Sequence, residues 1–117
     1  MARVLVVEDE PDVRATCAEL LRDLGHEVIE ASDGAEAIAK LEQRAPAAIV
    51  LDLQLPQMSG YDVLQYVRAS QRHWAVPVIV ISGTATGRGS IDKGASAYLP
   101  KPFDVEELAT ILRGLLA

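Results

Sequence analysis

Apolar residues fall in two alternating patterns along the chain. Short continuous runs occur at Arg3 to Val7, Glu27 to Ala31, Ala47 to Leu51, Val76 to Ile81 and Ala97 to Leu99. Runs of this length, bounded by turn residues, predict parallel strands covered on both faces; the second is the weakest. Helical stripes lie between most of them. Val13, Cys17, Leu20, Leu21 and Leu24 share one face of a helix that opens at Glu8-Asp9-Glu10-Pro11 and stops at Gly25. Asp33-Gly-Ala-Glu36 has capping-box spacing and predicts a helix through Leu41. Ser59-Gly-Tyr-Asp62 predicts another, with Val63, Leu64 and Val67 inward, and Asp104-Val-Glu-Glu107 a last one, carrying Leu108, Ile111, Leu112 and Leu115.

Strands alternating with helices make a parallel sheet with right-handed crossovers. Five units predict an α/β flavodoxin-like three-layer sandwich, strand order 2-1-3-4-5, with residues 1–117 as one domain. One crossover breaks the pattern. Residues 83–94 hold four glycines and one large apolar residue, Ile91. Each glycine costs about 1 kcal/mol against alanine inside a helix. The fourth helix is therefore expected to be short, irregular or replaced by a loop.

Composition narrows the function. A net charge of −6 disfavours nucleic acid and anionic membranes as partners of this domain. The single cysteine, Cys17, permits no internal disulfide, suits a cytoplasmic setting and reads as a buried apolar side chain. No apolar run approaches membrane-spanning length. His26 reads as a surface turn residue and His73 as part of a polar connection, neither with a metal-ligand partner at useful spacing. Trp74 is expected to pack against the third helix.

The informative residues stand where strands end. In open parallel sheets ligands bind at the carboxyl ends of the strands. The predicted order makes strands one and three neighbours, which brings Glu8, Asp9 and Asp52 together. Three carboxylates repel, and burial raises the cost. A hard divalent cation such as Mg2+, which takes one or two carboxylates, a carbonyl and several waters, would offset it. Strand four delivers the Ser82 hydroxyl and strand five the Lys101 ammonium to the same edge. An aspartate so placed can act as a nucleophile toward phosphorus, its product's charge met by metal, ammonium and hydroxyl.

These residues carry a resemblance. Val4-Leu-Val-Val-Glu-Asp-Glu10, Leu51-Asp-Leu-Gln-Leu-Pro-Gln-Met-Ser-Gly60, Val78-Ile-Val-Ile-Ser82 and Tyr98-Leu-Pro-Lys-Pro-Phe103 resemble the motifs of the receiver domain of two-component response regulators. The resemblance covers essentially the whole chain. It implies that Asp52 accepts a phosphoryl group from a sensor histidine kinase or a histidine phosphotransfer protein. It implies Mg2+ held by Glu8, Asp9, Asp52 and the Gln54 carbonyl. It also implies Lys101 and Ser82 on the phosphoryl oxygens, Tyr98 as a switch aromatic, and Gln54 and Thr84 as positions tuning acyl-phosphate lifetime. The Lys101–Pro102 peptide is expected to be cis. The signal would pass to a downstream protein or a covalently attached output domain. The chain departs from the family in having Ser for the commoner Thr at position 82 and a shortened stretch before Lys101. Residues 83–94 are therefore expected to order on phosphorylation or partner binding.

Two other classes fit less well. An aspartyl-nucleophile phosphatase would need a second acid two residues beyond Asp52, where Gln54 stands. A flavin-binding module would want a Ser/Thr/Gly-rich phosphate loop after strand one, where Glu8-Asp9-Glu10-Pro11 offers repulsion. A phosphorylation-independent interaction module of the same fold is disfavoured because no member of the site is missing.

Overall fold

The computed structural model describes residues 2–83 and 89–117. Five parallel strands, β1 (Arg3–Val7), β2 (Glu27–Ala31), β3 (Ala48–Asp52), β4 (Val78–Ser82) and β5 (Ala97–Pro100), form one sheet in the order β2-β1-β3-β4-β5. The helices among the described residues are α1 (Pro11–Asp23), α2 (Gly34–Gln43), α3 (Gly60–Ala69) and α4 (Val105–Leu116). Side chains alternate across the sheet. Leu5, Val7, Ile49, Leu51, Val78 and Val80 meet α2 and α3 on one face. Val4, Val6, Val50, Ile79 and Ile81 meet α1 and α4 on the other. Central strands buried on both sides read as unbroken apolar runs for this reason.

Three strands differ from expectation at their boundaries, β5 only by running on to Pro100. β3 begins and ends one residue later than predicted, so Asp52 is its last ladder residue, opposite Ile81. β4 starts at Val78 because Pro77 has no N–H and the Val76 N–H donates to the His73 carbonyl. The helix caps follow the sequence more closely. Ser59 and Asp62 form a full capping box on α3, as do Asp104 and Glu107 on α4. At α2 the box is only half made. Asp33 accepts from the Glu36 N–H at 2.8 Å, but Glu36 reaches back to the Ser32 N–H at 2.6 Å instead.

The described part of the connection between β4 and β5, residues 83 and 89–96, holds no α-helix. Residues 84–88, which include Thr84 and part of the segment expected to order, lie outside the described residues. From Ser90 to Ala95 the chain turns tightly, with Lys93, Gly94 and Ala95 N–H groups donating to the Ser90 and Ile91 carbonyls. Arg68 of α3 ties this turn down. Its guanidinium donates to the carbonyls of Gly94 at 2.8 Å, Trp74 at 3.0 Å and Val76 at 2.7 Å. Lys93 adds a cation–π contact, its Nζ 5.2 Å from the Tyr61 ring centroid.

The turn before β4 corrects one expectation. Trp74 does not pack against α3; it is 64% exposed. His73 lies in the connection before β4, as expected, and is fully buried there, with Nε2 3.6 Å from Glu42 Oε1. Position in a short turn is set by which neighbour closes over it, and here that neighbour is the end of α2.

Gly60 is required by a close approach. A Cβ there would lie 2.3 Å from the Asp52 carbonyl oxygen, while its N–H donates to the Leu53 carbonyl at 2.9 Å. Gly60→Ala is therefore expected to destabilise the fold by about 2–3 kcal/mol, as overpacking against fixed backbone does. Urea unfolding checks this, and an unchanged midpoint would refute it. Arg68→Ala leaves three carbonyls without their charged donor and should cost about 2 kcal/mol in the same assay. Amide exchange should speed up at Lys93–Ala95 in that variant.

Candidate functional site

The site is assembled at the carboxyl edge of the sheet by backbone pairing. The Glu8 N–H donates to the Ala31 carbonyl at 3.0 Å, extending the β1–β2 ladder by one residue. Arg14 of α1 donates to the Glu8 carbonyl at 2.8 Å. Asp52 is fixed by the β3–β4 ladder and by the close seat of Gly60. Ser82 pairs with Pro100 across β4 and β5, and its carbonyl accepts from the Lys101 N–H at 2.8 Å. Three neighbouring strands therefore deliver Glu8, Asp52 and Ser82 to one edge, and the next brings Lys101.

The side chains converge. Carboxylate oxygens of Glu8, Asp9 and Asp52 all lie within 4.8 Å of one another. Glu8 and Asp52 are buried, whereas Asp9 is exposed. Lys101 Nζ lies 2.6 Å from Glu8 Oε1 and 3.3 Å from Asp52 Oδ2. The other Asp52 oxygen, Oδ1, accepts from the Gln54 N–H at 3.0 Å. Ser82 is fully buried at the same edge. The Lys101–Pro102 peptide is cis. Tyr98, on β5 opposite Val80, is half-buried and packs with the α2–α3 side of the core.

The electrostatics are unbalanced. Burial pushes the Glu8 carboxyl up to about 8, and the adjoining Asp52 carboxylate adds to this while Lys101 opposes it. Burial alone would lower the Lys101 ammonium, but the Glu8 hydrogen bond and the Asp52 charge outweigh it and hold the pKa above the usual lysine value. Burial, with help from the Glu8 charge, raises the Cys17 thiol to about 11, so it stays protonated and unreactive at neutral pH.

These residues fit a divalent cation. Glu8 Oε2 is buried with no hydrogen-bond partner, a costly state for a carboxylate oxygen and one that a cation would relieve. The donor set is all oxygen, which suits Mg2+.

A profile of the response regulator receiver domain matches residues 4–113. The chain belongs to that family. It is 36% identical over 119 residues to the DNA-binding dual master transcriptional regulator RpaA of Synechocystis, covering 99% of this chain and 49% of that one. It is 41% identical over 116 residues to the transcriptional regulatory protein TcrA of Mycobacterium tuberculosis, covering 97% of this chain and 45% of the relative. The receiver thus spans about half the length of the curated relatives it matches. Among solved structures, the chemotaxis response regulator CheY4 of Vibrio cholerae superposes with a TM-score of 0.92 at 31% identity, each chain covered to 99%. NtrX of Brucella abortus gives a TM-score of 0.90 at 33% identity, over 98% of this chain and 27% of that one. Receiver domains of two-component response regulators are signalling domains and not classical enzymes. No helix among the described residues is long and apolar enough to cross a membrane.

Four features of this receiver were not anticipated from sequence: Arg14 on the Glu8 carbonyl, Gly60 against Asp52, the Arg68 tether and a contact of Glu10 with Lys101. All join residues through space, and Gly60 alone had a local signal, as a turn residue.

The crowded acids have a cost that can be measured. Without divalent cation, at a pH above the Glu8 value of about 8 where both acids are ionised, Asp52→Asn removes one of two adjoining buried charges and should stabilise the protein. Added Mg2+ should stabilise the parent protein and leave this variant nearly unchanged. Urea unfolding in chelator and in Mg2+ reads both, and equal Mg2+ stabilisation of the two proteins would contradict the assignment.

Proposed function

We propose that Asp52 is the phosphoryl acceptor of this receiver. The observation that carries the reading is its place: a buried carboxylate at a strand end, 3.3 Å from Lys101 and clustered with Glu8 and Asp9. An Asp52 oxygen attacks phosphorus of a phosphohistidine on a sensor kinase or histidine phosphotransfer protein. The P–O bond forms as the P–N bond breaks, and the imidazole departs with its electron pair. Glu8, Asp9, Asp52 and the Gln54 carbonyl would hold Mg2+. The cation supplies charge neutralisation for the transferring phosphoryl group. Lys101 meets the phosphoryl oxygens as a second positive charge, its backbone held by the N–H bond to the Ser82 carbonyl.

Ser82 answers the new anion as a hydroxyl donor, and Tyr98 follows as the switch aromatic. The acyl phosphate shifts a two-state equilibrium that a downstream partner or an attached output domain reads. Gln54, exposed beside the acceptor, and Thr84 set how readily water reaches the acyl phosphate. Release of phosphate by that water is the domain's own autodephosphorylation, and it works in the cytoplasm.

The test is covalent labelling. With a small-molecule phosphodonor and Mg2+, intact-mass measurement should show one phosphoryl group on the parent chain. Asp52→Asn should show none, and Lys101→Met should be slowed by at least about tenfold. Undiminished labelling of the Asn variant would overturn the assignment.

A further inference from the structure

Lys101 faces a third acid that the proposed chemistry does not use. Glu10 Oε1 lies 3.4 Å from Lys101 Nζ, the longest of the ammonium's three ion-pair contacts among the described residues. Glu8 and Asp52 are buried, whereas the Glu10 side chain is 63% exposed on the rim, at the residue that opens α1. We propose that Glu10 is a positioning residue, which receives the Lys101 ammonium when a divalent cation claims Glu8 and Asp52. The inference rests on the reading of the site given above.

The geometry leaves the ammonium few other places. A cation among Glu8, Asp9 and Asp52 repels it from the carboxylate it now touches at 2.6 Å. The Lys101 backbone is held by its N–H bond to the Ser82 carbonyl, so the side chain must make the adjustment. Glu10 is already within ion-pair distance, and its contact is long enough to shorten. The nearby Arg14 does not compete for it, because that guanidinium is engaged by the Glu8 carbonyl at 2.8 Å and by Glu30 at 3.4 Å. Glu10 thus offers the displaced charge a partner and eases metal entry. The partner is solvated, so the effect is modest.

A double-mutant cycle separates this role from a simple change in local charge. Mg2+ affinity is measured by calorimetric titration for the parent, Glu10→Gln, Lys101→Ala and the double variant. Glu10→Gln should weaken Mg2+ binding by about two- to fivefold with Lys101 present, the range of an exposed ion pair, and not measurably with alanine there. The Lys101 Nζ nitrogen resonance of the Mg2+-saturated protein should also shift on Glu10→Gln. Equal losses in both backgrounds, no loss in either, or an unmoved resonance would overturn the role of Glu10 and leave the site reading standing. Failure of the parent to bind Mg2+ would overturn the site reading, and this inference with it.

Discussion

The crowding of two buried carboxyl groups and one exposed carboxylate around a single ammonium, among the described residues, is the constraint on which the rest of this receiver depends. Glu8, Asp9 and Asp52 stand within 4.8 Å of each other, and a single ammonium meets them. Left free, such groups would swing apart into water. The ladder bond of the Glu8 N–H, the Arg14 donor on the Glu8 carbonyl, the pairing of Asp52 with Ile81 and the tight seat of Gly60 on Asp52 keep them together. The apolar sheet beneath supplies the stiffness, since its central strands are packed on both faces. Stability is given up at the mouth and recovered in the core, which is how strained functional sites persist.

Much of this was legible in the sequence for a physical reason. A strand covered on both faces must be apolar throughout, so each central strand announced itself and the polar residue at its end stood out. Capping boxes are local, and those at Ser59 and Asp104 formed as read. The α2 box differed because Glu36 had a second donor available, the Ser32 N–H, one residue further back. Trp74 was misplaced, and the burial of His73 was not foreseen, because a short turn has no period to read. Whether His73 or Trp74 is covered depends on where α2 ends and how Arg68 gathers the turn. The Glu10 contact was equally hidden, since it joins residues 91 apart in the chain.

The described end of the crossover between β4 and β5 is held more by polar contacts than by apolar packing. Gly89 to Gly94 contribute little apolar surface, and Ile91 is 48% exposed. The described part of the crossover is attached to α3 instead, by one guanidinium and one cation–π contact. Attachment by polar contacts depends on a few donors and their angles, whereas a packed helix spreads its hold over many side chains. The described end of this crossover thus depends on a few side chains of α3 for its support.

Trp74 gives the molecule an unusual optical property. It is the chain's one tryptophan, it stands in water, and it precedes β4, whereas Asp52 and Ser82 lie at the far ends of their strands. A five-residue strand separates the two ends by roughly 15 Å, beyond the contact range over which a bound ion quenches an indole. Its emission is therefore insensitive to what merely enters the carboxylate mouth. Any change it does record must have crossed the sheet, which makes the indole a built-in gauge of transmission in place of occupancy.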